Sequence, residues 1–252
     1  MARARKRHIQ QPLPFRIWGG KRKGAGRPKK SFRASEKHKK RPPLHARFPV
    51  LVTCRIDKAV GSLRRGKAYH AFRKALASAL RRADFRVVHV SLQRDHAHLV
   101  VEATDERALA RGMQGLQIAA AHRLNAVVSA ERRRRRTGRV FSDRYHARIL
   151  RTPSEVRRAI NYVLNNWRHH KEDRDIESMF WEVDYFSSGP TFRDWKERPP
   201  ELPTTYLPLA TSDPSTWLLC VGWTRAGGGS RRARSRAPIA TDRGVELRRS
   251  TR

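Results

Sequence analysis

Acidic side chains are scarce: 22 Asp and Glu stand against 57 Lys and Arg in 252 residues, a formal charge of +35. So one-sided a chain favours a polyanion as its partner. Cysteine is almost absent. Cys54 and Cys220 make no disulfide framework and cannot alone hold a structural zinc, which points to a reducing compartment. No apolar run approaches the roughly 20 residues that span a bilayer. The opening MARARKRHIQQP has a charged start with no apolar stretch behind it, so it does not read as a secretory signal. The expected location is the cytoplasm, in association with the nucleoid. Hydrophobic residues make up 38%, below the ~45–50% of ordinary globular domains, so part of the chain is expected to lie outside a core.

What is present is unevenly spread. Residues 1–46 carry +15, residues 225–252 carry +7, and the body between them carries +13. The first segment, 1–46, holds Gly, Pro and cations without a hydrophobic period and reads as a disordered basic arm. Its Gly-Arg-Pro core at 26–28, flanked by Lys21, Arg22, Lys23, Lys29 and Lys30 around Arg27, resembles an AT-hook. Such a segment suits an A·T-rich minor groove; a solvated tail is the plainer alternative. Residues 225–252 read as a second disordered basic tail.

Between the tails a pattern emerges. FPVLVTCRI (48–56) is apolar and β-branched, a strand. Residues 64–83 place Tyr69, Phe72, Leu76 and Leu80 at helical spacing. RVVHVSL (86–92) and HAHLVVE (96–102) are two strands joined by the hairpin link Gln93-Arg94-Asp95. A second helix is predicted over 105–128, then a basic loop at 131–139, a strand over 145–150, and a third helix opening at Thr152-Pro153-Ser154-Glu155 and reaching His169. The order β-α-β-β-α-β plus one helix implies an α+β, ferredoxin-like split β-α-β fold: a four-stranded antiparallel sheet with an added C-terminal helix. This architecture hosts many functions. An RNA-binding module of the same fold is one of them, but the strands lack the stacking aromatics such modules use.

Two local features bear on chemistry. His96 and His98 sit two apart on a strand, so both face one side and can share a metal ion. On the third helix Val156, Ile160, Val163 and Trp167 form a buried stripe, while Tyr162 and Asn166 stack one turn apart beside it. Taken singly, each reads most simply as a polar strand edge or a boundary tyrosine. Together, two imidazoles, a phenol and an amide on a cationic body suit phosphoryl transfer. His96, His98 and Asn166 would hold the metal, and Tyr162 would be the nucleophile, forming a covalent phosphotyrosine.

DHAHLVVEA, followed by RYHARIL and YVLNNWRHH, resembles the single-tyrosine HUH transposases, and among them the REP-associated tyrosine transposases, over roughly 47–170. WGGKRKGAGRPKK and PSTWLLCVGW are similar to segments of bacterial members. The resemblance implies a single-tyrosine transposase domain over 47–174 that cuts single-stranded DNA beside a hairpin. It further implies Mg²⁺ or Mn²⁺, a 5′-phosphotyrosine and a free 3′-hydroxyl, with His96 and His98 as the histidine pair, Tyr162 as nucleophile and Asn166 on the metal. Ala97 stands where the family carries a bulkier apolar residue, and Asn165-Asn166-Trp167 where many members have Asn-Pro.

Arg132, Arg133, Arg134, Arg135 and Arg136 interrupt the domain and are the expected DNA-backbone clamp. Residues 175–224, rich in Pro and aromatics, read as a wrapping extension. Single-stranded or hairpin DNA is the expected partner of a monomer or homodimer, with no membrane. A non-catalytic, domesticated nucleic-acid-binding protein is the alternative from another class.

Overall fold

The computed structural model describes residues 41–172, 178, 181–195 and 202–226. Among the described residues, four strands and four α-helices appear in the order β1 (Val50–Arg55), α1 (Gly66–Ala79), β2 (Phe85–Leu92), β3 (His96–Ala103), α2 (Glu106–Arg132), β4 (His146–Ile149), α3 (Pro153–His169) and the short α4 (Trp217–Cys220). The strands form one antiparallel sheet in the order β2-β3-β1-β4, the ferredoxin-like arrangement that the element order implied.

Side-chain alternation gives the sheet two different faces. Val50, Val52 and Cys54 of β1, Val90 and Leu92 of β2, and Ala97, Leu99 and Val101 of β3 point toward α1 and α2 and make one continuous core. Ala97 owes its size to this side of the strand: it is fully buried there, opposite Cys54. The helix α2 approaches closely enough that a Cβ on Gly112 would fall 2.2 Å from the Phe85 ring. On the opposite face Val88 and Val100 meet α3, whose Val156, Ile160, Val163 and Trp167 are all buried, as their spacing predicts.

Helix boundaries follow local chemistry. Asp105 caps α2 by accepting from the Ala108 amide at 2.7 Å. The start of α3 is a full capping box, with Thr152 and Glu155 exchanging side-chain-to-backbone bonds and Pro153 in the first turn. Two expected limits move. The first helix stops at Ala79, leaving Leu80 46% exposed beyond the face that meets the sheet. The second runs on to Arg132 and is closed by Arg133 in the left-handed region (φ 49°), so the basic loop begins two residues later than its composition suggested.

The segments after α3 cover the edge of β2. Leu92 donates to the Phe186 carbonyl, Ser188 to the Val90 carbonyl and Ser212 to the Val87 carbonyl, each at 2.8 Å. An edge strand left bare would be a template for non-native pairing, and these bonds occupy it. The aromatics here pack on one another: Trp181 lies against Tyr185 and Phe186, and Phe192 against Trp195 and Trp223.

Candidate functional site

His96, His98, Val100 and Glu102 alternate onto the α3 face of β3, and on β1 the corresponding residue is Thr53, paired in register with His98. This register matters because it gives His98 a fixed orientation. Thr53 Oγ1 lies 3.0 Å from His98 Nδ1, which leaves Nε2 as the free nitrogen, directed at the Tyr162 hydroxyl 3.3 Å away. His96 is held the same way, its Nδ1 2.7 Å from Asp95 Oδ1. Ligand histidines elsewhere use outer partners of this kind to set tautomer and ring orientation.

The remaining groups come from α3. Tyr162, Asn166 and His170 are spaced by four and share one stripe of the helix. The His170 amide still donates to the Asn166 carbonyl at 3.2 Å, so the stripe continues to the helix cap. At one end the Tyr162 ring lies 4.9 Å, centroid to centroid, from that of His98. At the other, His170 lies 4.6 Å from His96. Asn166 sits between them in the helical register, 1% exposed, with neither its oxygen nor its nitrogen hydrogen-bonded. Asn165 is only half-buried.

His96, His98 and His170 each bring a ligand atom within 4.8 Å of the others, a set able to hold a metal ion. A buried amide without a partner beside that set fits the same purpose, since an unpaired buried polar group is costly unless something bonds it. Sequence reasoning named His96, His98, Tyr162 and Asn166 but gave His170 no ligand role. The signal was its distance of two helical turns from Tyr162, on the stripe already carrying Asn166.

Electrostatics fit a ligand site. Burial, reinforced by the nearby His96 and His170, pushes the His98 imidazole down to about 3, so it is neutral with a free lone pair at ordinary pH. Burial also lowers His170 and raises the Tyr162 phenol above its usual 10, so the phenol does not ionise unaided. Tyr162 is 39% exposed, so the residue borders solvent while its hydroxyl faces His98.

The other predicted residues divide. Arg132 donates to the Ala59 carbonyl at 2.9 Å, and Arg136 bonds the Asn125 side chain and the Arg139 carbonyl; these two brace the loop. Arg133, Arg134 and Arg135 are exposed. The loop reaches the His96 end of the sheet, because Phe141 bridges Ile56, the neighbour of the Arg55 that pairs with His96. Lys21, Arg22, Lys23, Arg27, Lys29 and Lys30, and nearly all of the 225–252 tail, lie outside the described residues. Glu102, on the α3 face of β3, is buried and accepts from the Ser215 and Thr216 amides, at 2.7 Å for the latter, tying the start of α4 to the sheet.

Residues 58–166 match the family described as "Transposase IS200 like". No curated protein matches the chain. Solved structures are also similar to it, two of them as follows. One is a REP-associated tyrosine transposase bound to a REP hairpin, 13% identical, covering 61% of this chain and 82% of its own, with a TM-score of 0.45. The other is a protein from Deinococcus radiodurans R1 described as a transposase, 14% identical, covering 56% of this chain and 98% of its own, with a TM-score of 0.33. Among the described residues no helix is long and apolar enough to cross a membrane.

Proposed function

Because residues 58–166 match the IS200-like transposase family, we propose that the protein is a metal-dependent single-stranded DNA endonuclease and strand transferase that cleaves beside hairpins. The observation that carries this reading is the approach of the Tyr162 hydroxyl to His98 Nε2, 3.3 Å, inside a cluster of imidazoles. A nucleophile and metal-ligating groups that meet across two elements are the parts that phosphoryl transfer requires.

In this reading Tyr162 Oη attacks the scissile phosphorus. A tyrosine O–P bond forms on the 5′ side, the bond from phosphorus to the 3′-oxygen breaks, and that oxygen leaves as a 3′-hydroxyl after taking a proton. The phenolic proton passes to solvent water, and solvent returns a proton to the departing 3′-oxygen. Attack by a 3′-hydroxyl reverses the step, so bond energy is kept for rejoining. A divalent cation, Mg²⁺ or Mn²⁺, held by His96, His98 and Asn166 would supply positive charge at the phosphate. Thr53 and Asp95 fix the two imidazoles so that nothing need reorganise when DNA arrives.

Positive charge outside the site brings the substrate. Arg133, Arg134 and Arg135, exposed at the His96 end, together with the basic arm 1–46 and the tail 225–252, supply phosphate contacts that add affinity without reading sequence. The domain boundaries belong to the same proposal: 47–174 as the catalytic unit, 175–224 as an extension that wraps it. The test is a covalent adduct. Protein, Mg²⁺ or Mn²⁺ and a pool of hairpin-bearing single-stranded DNAs should yield an SDS-resistant protein–DNA species that Tyr162→Phe abolishes. An undiminished adduct from that variant would refute the assignment, and binding without an adduct under any metal would favour a purely architectural role.

A further inference from the structure

The donor set at this site is richer in nitrogen than the proposed chemistry needs, and we infer that His170 is a third imidazole ligand, one that tilts the site away from Mg²⁺ toward Mn²⁺, Co²⁺ and Zn²⁺. The inference rests on the metal-dependent reading above and concerns which ion that site takes.

The chain is built to deliver His170 there. A histidine past the last turn of a helix would ordinarily project into water, where its imidazole samples many rotamers. Here the backbone turns sharply at the next residue, Lys171, which adopts φ 59° in the left-handed region. Glu172 follows and is buried, its carboxylate 2.9 Å from Arg94 Nε and 3.7 Å from Arg64 Nε. The Ser178 hydroxyl donates to the Glu172 carbonyl at 2.6 Å. Arg64 in turn grips Asp184 at 2.9 and 3.0 Å and stacks on the Phe186 ring. Arg94 precedes Asp95, the residue that orients His96. A single carboxylate, Glu172, therefore fastens the turn that presents His170 to the loop that presents His96. His169, one residue earlier, is exposed as His170 is but lies off the stripe of Tyr162 and Asn166, and so serves as an internal control.

The chemistry of the trio sets the preference. Mg²⁺ dehydrates reluctantly and is held through carboxylates and phosphate oxygens. The trio His96, His98 and His170 offers three neutral nitrogens, and the nearby carboxylate of Asp95 is engaged by His96 Nδ1. Imidazole nitrogens suit Mn²⁺ better than Mg²⁺, and later first-row ions better still. Asn166 contributes an oxygen donor that does not discriminate in this way, so replacing it and replacing His170 should have different signatures.

The experiment uses the full-length chain with Mg²⁺, Mn²⁺ and Co²⁺ offered separately, read by calorimetry and, for Co²⁺, by visible absorption. Co²⁺ and Mn²⁺ should bind at least about tenfold more tightly than Mg²⁺. His170→Ala should weaken Co²⁺ by about tenfold or more and fade its visible bands, because a nitrogen ligand has gone, while changing Mg²⁺ by no more than about twofold. Free imidazole should restore the bands, since the site of the lost ring is open to solvent. His169→Ala should leave every value unchanged, and His170→Gln repeats the measurement should the alanine variant fail to fold. The inference is overturned if His170→Ala and His170→Gln bind Co²⁺ as the wild type does with the same spectrum, or if Mg²⁺ binds as tightly as Co²⁺. The covalent-adduct assay separates the two layers. An adduct with unchanged Co²⁺ binding in His170→Ala removes the third ligand and leaves strand cleavage standing. Weakened Co²⁺ binding with no adduct from any hairpin does the reverse.

Discussion

The two faces of the sheet divide the labour of the molecule. Toward α1 and α2 each strand presents Val, Leu, Ile, Phe, Ala or the buried thiol Cys54, and burial pushes that thiol up to about 12, so it stays protonated and inert. Toward α3 the same strands present Thr53, His89, Ser91, His96, His98 and Glu102, with apolar contacts reduced to a few positions such as Val88 and Val100. One face is closed mainly by apolar burial, with Gln117 Nε2 donating to Cys54 Sγ as a polar contact within it. The other is closed by hydrogen bonds, ion pairs and a helix that carries the nucleophile. Alternation with a period of two lets one strand serve both, since His98 and Leu99 are neighbours in sequence and face opposite sides. Stability and chemistry are thereby separable, and substitutions on the two faces should fail in different assays.

The largest effect should come from Tyr162→Phe. It removes one oxygen from a side chain 39% exposed, so the unfolding free energy should move by no more than about 0.5 kcal/mol, while covalent adduct formation disappears. Equal losses in both assays would collapse the distinction between the faces. Leu124→Ala tests the opposite side. Leu124, on α2, is fully buried in the core between the helices and the sheet, and truncation should cost about 2–5 kcal/mol by chemical denaturation. Below its new melting point the variant should still form adduct at close to the wild-type rate.

Thr53→Val is subtler. Valine keeps the β-branched shape, so packing survives, but His98 Nδ1 loses its partner at 3.0 Å. Metal affinity and adduct formation should fall about 10–100-fold, the usual consequence of removing an outer partner of a ligand histidine, with stability nearly untouched. If the adduct rate is unchanged, the hydroxyl does not position the imidazole.

Legibility in the sequence followed the same division. The α1/α2 face is periodic and apolar, so its strands and helices could be read from spacing alone, with errors only at the ends. Leu80 fits the helical period yet lies beyond the contact, and Arg132 looks like loop yet extends α2 because Arg133 supplies the left-handed turn. The site was legible where residues lie close in sequence. His96 and His98 are two apart, and Tyr162 and Asn166 four. Its cross-chain partnerships were not: Thr53 reaches His98 through a register that no local pattern encodes, and Glu102 meets the Ser215 and Thr216 amides across more than a hundred residues. His170 lay in plain view but at the second repeat of a spacing used only once, in a helix end where a histidine reads as a partner of the dipole.

The smallest effect expected is an acid sensitivity that belongs to the polar face. His89 on β2 is buried against Phe192, and burial pushes its imidazole down to about 4 from an ordinary 6.5. The folded protein therefore holds it neutral, while the unfolded chain takes up a proton below pH 6.5. For a base with a lowered folded value, the stability contribution is complete above 6.5 and is lost as pH falls toward 4. Between pH 7 and 5.5 this residue should account for a loss of about 1 kcal/mol. His98, lowered to about 3 by burial first, adds a loss of the same sign, so the wild type will soften by more than one such step. The informative quantity is the difference from His89→Leu, whose unfolding free energy should fall less over that interval. Leu is also apolar enough to pack on Phe192. Parallel curves for the two proteins would mean that His89 is already solvated through the pocket bounded by Ser188, Phe192 and Trp223, and that the α3 face is sealed less tightly there than its burial implies. A converging pair would place the acid weakness of the fold on the same side of the sheet as its chemistry.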